Sequence, residues 1–318
     1  MWPFRKKPAG LRIDDAHGDP AARTLIDALS ARDWRVARDV LQATTEPDAR
    51  AYLMEAAADV GGVQDWIGEW VRAEPDSTLP VLVRGCHAVF WAWEARGAAS
   101  ADRTSQDAFR EFHRRLRTAE HLLADVASRD PGDVTSRAWL VASARGTQAG
   151  KDVAQARFDE VVKRHPHHVV AHEHRLQYLC AKWFGSHDEM FAFARAATAS
   201  APAASLLPEL IAVAHLEKWL ALPNDEDAAY ITSAEVRDEI VAAAEKSVLH
   251  PSFVPPPGWV PRGNTFAMVL ELSDANAHAA RVFDLLGDRV SDWPWTYRTR
   301  NAVSAFTTAR ENARSFRD

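Results

Sequence analysis

Along most of the chain, apolar residues recur every three or four positions, the spacing that lines one face of an α-helix. Residues 21–31 place Leu25, Ile26 and Leu29 on one face, and residues 34–43 do the same with Trp34, Ala37, Val40 and Leu41. The two-residue joint Arg32-Asp33 predicts an antiparallel hairpin. The pattern recurs over 49–59 and 63–73, broken at Gly61-Gly62, with Trp66, Ile67 and Trp70 on the second helix. Residues 79–95 are almost wholly apolar, which predicts burial on several sides. Residues 104–128 predict a long amphipathic helix, with Phe109, Phe112, Leu116, Ala119, Leu122, Leu123 and Val126 largely opposite Arg110, Arg114, Arg115 and Arg117. Further helices are predicted over 189–199, 205–220, 234–249, 265–272, 275–286 and 296–316.

Proline marks the joints. Asp130-Pro131, His165-Pro166 and Ala201-Pro202 follow one another at intervals of 35 and 36 residues, with His250-Pro251 after a longer unit. At fixed offsets before these prolines stand a small and a bulky residue, Ala119 and Leu123 before Pro131, Ala154 and Phe158 before Pro166. A small residue lets paired helices approach, a bulky one fills the groove between pairs, and Pro ends one helix and opens the next. This spacing resembles the tetratricopeptide repeat. The Trp-Leu-Gly-Tyr set of that repeat's first helix is mostly absent. The turn Lys182-Trp183-Phe184-Gly185-Ser186 and the following Phe191-Ala192-Phe193-Ala194 are similar to those of an uncharacterised bacterial family of helical-repeat proteins. There the turn reads Lys-Trp-Gly-Gly-Ser, so Phe184 departs from it. That likeness extends through Pro294-Trp295, and it implies an architecture without implying an activity.

The resulting expectation is an all-α chain: a right-handed α-solenoid of antiparallel hairpins, about six to seven at ~34–40 residues each, closed by a C-terminal capping helix. Residues 1–20, with Pro3, Pro8, Gly10, Gly18 and Pro20, read as an irregular arm, and residues 21–318 as one solenoid domain. Within it, 21–129 are divergent hairpins, 130–295 tetratricopeptide-like repeats and 296–318 the cap. The Pro-rich stretch 252–264 reads as an ordered surface loop. Ser186 and Glu189 have the spacing of a reciprocal helix cap.

Composition adds limits. The chain is 47% hydrophobic and 26% charged, within the range of a packed globular protein, and its 14 Gly favour helix over sheet. A net charge of -6 argues against a general nucleic-acid binder. Trp2, Phe4, Arg5, Lys6 and Lys7 offer at most marginal attachment to an anionic membrane, and Asn224 to Asp227 form an acidic loop. Cys86 and Cys180 are far apart in apolar helices, as expected of buried free thiols in a reducing compartment. No apolar signal segment follows Met1, and the expected location is the cytoplasm.

Candidate chemistry centres on six of the 13 histidines: His165, His167, His168, His172, His174 and His187. His168 and His172 lie one helical turn apart, a chelating spacing, and with His187 they define a metal-dependent enzyme or sensor as the alternative function. Against it stand the absence of HExxH and the position of His168 near a helix N-terminus, where the dipole disfavours cations. His172 falls where the repeat register expects an aromatic core residue. Gly185-Ser186-His187-Asp188 holds the letters of a hydrolytic triad, but consecutive residues cannot face one another as a triad must. No catalytic motif or cofactor-binding loop is present. Trp259, Trp293 and Trp295, in Pro-containing segments, are the Trp residues to consider first as exposed partner anchors. The leading expectation is a non-catalytic scaffold or adaptor that binds a protein or peptide on its concave face, without a cofactor. The repeat register places Glu173, Gln177 and Glu209 there, with Arg137 and Arg145 adjacent.

Overall fold

A computed structural model describes residues 10–97 and 104–316. The proposed membrane contacts Trp2, Phe4, Arg5, Lys6 and Lys7 lie outside the described residues. Among those residues all regular secondary structure is helical, and no helix is long and apolar enough to cross a membrane.

Local chemistry sets the helix starts. α1 (Pro20–Ser30) and α2 (Trp34–Ala43) begin after Asp19 and Asp33, whose carboxylates accept from the Ala22 and Val36 amides. α3 (Pro47–Ala58) begins after Glu46, which accepts from the amides of Asp48 and Ala49, and Pro47 occupies the first turn, where no amide donor is needed. α4 (Val63–Ala73) follows Gly62 in a left-handed conformation. α5 (Leu79–Arg96) and α6 (Gln106–Arg129) form the longest pair, followed by α7 (Thr135–Gly146) and α8 (Lys151–Val162). α9 (Val169–Leu179) is capped by His168, whose Nδ1 accepts from the Ala171 amide. α10 (His187–Ser200) is capped by Ser186. Glu189 directs its carboxylate 2.6 Å from Lys151 Nζ, where the sequence predicted a return to the Ser186 amide. The remaining helices are α11 (Glu209–Ala221), α12 (Asp227–Ile231), α13 (Ala234–Lys246), α14 (Trp259–Leu272), α15 (Asn276–Leu286) and α16 (Ala302–Ser315).

Helices α1, α3, α5, α7, α9, α11 and α14 contact one another in that order, and α1, α5, α7, α9, α11 and α14 each also pack against a helix adjacent in sequence. α5, α7, α9, α11 and α14 are buried nearly all round. One hydrophobic cluster spans Ala16 to Ala142 and a second spans Val169 to Ala313. The N-terminal half meets the C-terminal half through α7 against α9, and α3 adds a further set of contacts. Asp48 accepts from the Val169 amide at 2.8 Å, Glu55 lies 3.5 Å from Arg262, and a Cβ on Gly258 would meet the Tyr52 ring at 3.0 Å. Tyr52 also donates to the Ala16 carbonyl at 3.0 Å, which fixes the irregular arm against α3.

Four sequence expectations are corrected. The stretch 252–264 is a surface loop only as far as Gly258, whose φ of +77° turns the chain inward. Trp259 then opens α14, and Trp259, Val260, Arg262 and Asn264 are buried. Pro261 is tolerated because first-turn amides have no intrahelical acceptor. Asn264 is saturated, donating to the Val260 and Arg289 carbonyls and accepting from Trp295 Nε1 at 2.7 Å. Trp259 and Trp295 are therefore core residues rather than exposed anchors, and Trp295 packs between Phe283 and Phe306. The C-terminal helix starts at Ala302, after a short 3-10 turn over Trp295–Tyr297. The acidic stretch at 224–227 leads straight into α12, which begins at Asp227.

Candidate functional site

Helical spacing aims several polar side chains at one point. On α11, Glu209, Val213 and Glu217 recur every four residues and share a face, as do Glu173 and Gln177 on α9. With Tyr52 and Glu55 from α3, Arg145 from the end of α7 and Arg262 from the start of α14, these residues line a cavity of about 750 Å³. Its remaining wall includes Asp15 and His17 from the arm, Phe90 from α5, and Trp293 and Tyr297 after α15.

One end is an ion cluster. Arg262 forms a two-point pair with Glu173, Nε to Oε1 at 2.6 Å and Nη2 to Oε2 at 2.5 Å, and donates Nη1 to the Gly258 carbonyl at 2.9 Å. Glu55 and Glu209 complete the group, so that three carboxylates surround one guanidinium. Burial pushes the Glu55 carboxyl above the ordinary range, partly offset by Arg262 and reinforced by Glu173. Burial likewise raises Glu209, with Glu173 adding to the shift and Arg262 opposing it. Arg262 is desolvated, but the surrounding carboxylates hold it firmly charged. Near neutral pH the cluster thus retains protons that exposed glutamates would have lost.

The other end is different. Glu217 accepts from Lys182 Nζ at 2.7 Å and from Gln177 Nε2 at 3.0 Å. Arg145 lies 4.9 Å from the Trp93 ring centroid and 5.2 Å from that of Trp183. His174 stands between the ends. Burial, aided by Arg145, lowers its pKa to about 3 and keeps the imidazole neutral.

The structure brings Glu173, Gln177, Glu209 and Arg145 together in the cavity wall. Arg137 is elsewhere: it donates to the Asp133 carbonyl and, at 2.9 Å, to the Ala127 carbonyl, so it binds the C-terminal end of α6. Of the three histidines in the alternative reading, His168 is fully buried as the α9 cap, burial lowering its pKa to about 4. His172 donates Nδ1–H to the His168 carbonyl at 2.8 Å and packs against Phe158 and Phe193. His187 occupies the first turn of α10. His168, His172 and His187 do not converge into a metal-ligand group. Among the described residues the grouping with that geometry is Glu46, Asp48 and His165, whose carboxylates already cap α3 and bind the Val169 amide. Cys86 and Cys180 are buried free thiols, burial pushing the Cys180 pKa up to about 12.

Sequence reasoning missed Glu55, Glu217 and Arg262. Glu217 was findable, because Glu209 and Glu217 are the acids of a strongly apolar helix and share its face. Arg262 was hidden in a segment read as loop. The chain matches no protein-family model and no curated protein.

Proposed function

We propose that this chain is a non-catalytic binding protein, built as a tetratricopeptide-like right-handed solenoid. Its concave side is closed by α3 into a cavity that receives a compact ligand, such as the end of a peptide or of a partner protein. The contact order of the helices and the joint-marking prolines support the array. The observation that carries the binding reading is the cavity itself, about 750 Å³, with charged residues from α3, α7, α9, α11 and α14 turned into it. That volume lies in the range of ligand sites, and polar groups converging on a largely apolar wall are what fix a ligand's orientation.

Ala56 lines the cavity without making a polar contact. Ala56→Trp is expected to fill it while leaving helix content intact. Native mass spectrometry of purified protein, followed by titration of a library of short peptides with free ends, should find a bound species in the wild type and lose it in the variant. Equal binding by both proteins, or none by the wild type, removes the reading.

A second reading is an enzyme that uses Glu55 and Glu209 as proton donors. The observation in its favour is that both carboxyls have raised pKa values inside a cavity, the setting of catalytic acids. Proton release on ligand binding without chemical change of the recovered ligand would decide against it.

A further inference from the structure

The cavity contains two guanidinium groups in opposite circumstances. Arg262 is saturated by Glu173 and the Gly258 carbonyl, with Glu55 beside it. Arg145 has neither a carboxylate partner nor a hydrogen-bond acceptor among the described residues, and its Nε is buried. Its neighbours are rings, Trp93 and Trp183, which meet edge-on at 5.8 Å. Ring faces attract a cation, but they do not satisfy the five N–H donors of the guanidinium plane. The carboxylate nearest in influence, Glu217, is already held by Lys182 and Gln177. Arg96 lies 5.6 Å and 5.9 Å from the same two rings and adds positive potential. A desolvated cation without a counter-ion is costly, and a guanidinium does not escape by losing its proton.

We propose that Arg145 is the anion-recognition point of the cavity, receiving a carboxylate or phosphate of the ligand through its guanidinium fork, while Trp93 and Trp183 pack against the guanidinium and hold it in place. This rests on the cavity reading above and gives it a chemical class. Glu209 and Glu217 are eight residues apart, so about 12 Å separate the two ends of the α11 face. A ligand anchored at Arg145 therefore reaches the Glu55–Glu209 end with a donor group.

The probes are inorganic phosphate and acetate, each titrated against the full chain at ionic strength matched with sodium chloride, with Tm as the readout. The expected result is a saturable rise in Tm with at least one of them, and the pair distinguishes phosphate from carboxylate recognition. Arg145→Gln should abolish the rise, and Arg145→Lys, which keeps the charge without the fork, should weaken affinity by about tenfold. An identical rise in Arg145→Gln, or no response of the wild type beyond that to chloride, overturns the proposal. Should both variants fail to fold, the side-chain NMR signal of Arg145 Nε–H in the wild type replaces them. It must shift saturably with the anion, and a stationary signal is equally fatal. The two readings separate cleanly. If Ala56→Trp loses the cavity ligand while Arg145→Gln keeps it at full affinity, the cavity stands and the anion point falls. If anions bind at Arg145 but Ala56→Trp loses no ligand, the reverse holds.

Discussion

Removing the Arg262 side chain leaves Glu55, Glu173 and Glu209 facing one another without a cation. Breaking a buried pair in this way costs about 3–5 kcal/mol, and Arg262→Ala is expected to lose that much in urea unfolding. Glu209→Gln acts differently, since it removes a group that burial already drives towards its neutral form. An acid whose folded pKa is raised contributes stability that is complete below its ordinary value of 4.5 and lost as pH rises through the raised value. The Glu209 contribution is therefore expected to fall between pH 4.5 and about pH 8, and Glu209→Gln to lose less stability than the wild type over that window. Parallel pH profiles for the two proteins would refute the assigned protonation. His174 works in the other direction. With its folded pKa lowered from 6.5 to about 3, its contribution is full above pH 6.5 and is lost as pH falls through the lowered value.

At the scale of elements, the joint between α9 and α10 depends on one glycine. A Cβ on Gly185 would overlap the backbone of Leu179, including its carbonyl oxygen, and backbone cannot yield as a side chain can. Gly185→Ala is thus expected to destabilise the protein by more than about 2 kcal/mol, the range of strained or overpacked sites, measured as a shift in the urea midpoint. Ser186→Ala, which removes only the α10 cap bond of 3.1 Å to the Glu189 amide, should cost about 1 kcal/mol. The helix starts were largely legible because caps and prolines act over a few residues. The α14 start was not. Three consecutive prolines before Gly258 and a fourth at Pro261 read as loop, while the burial of Arg262 and Asn264 depends on partners at Glu173 and Trp295.

At the scale of the whole molecule, Asp48 links the N-terminal half to the start of α9. Burial alone would raise its pKa, but the His165 hydrogen bond at 3.2 Å, the nearby His168 and the Val169 amide bring it below the ordinary value. Its contribution is present above pH 3.8 and lost as pH falls below that. Asp48→Ala leaves the Val169 amide without its acceptor, at a cost of about 1–3 kcal/mol. Faster hydrogen exchange is expected in α3 and in the first turn of α9, with α15 and α16 unchanged. Uniform acceleration would mean that this contact does not hold the halves together.

The periodic spacing of apolar residues, the Asp, Ser and Pro signals at helix starts, and the small and bulky residues before Pro131 and Pro166 were sufficient to predict an all-helical chain and most of its boundaries. The register carried over from the tetratricopeptide resemblance pointed to Glu173, Gln177 and Glu209, and all three line the cavity. Tertiary structure alone decided what those faces meet. Arg262 and Glu173 are 89 residues apart, and no local rule pairs them. The same holds for the closure of the cavity by α3, the withdrawal of Arg137 to the α6 terminus and the solitary position of Arg145. Each depends on which helices pack together, and that is set by the summed packing of many side chains rather than by any one stretch of sequence.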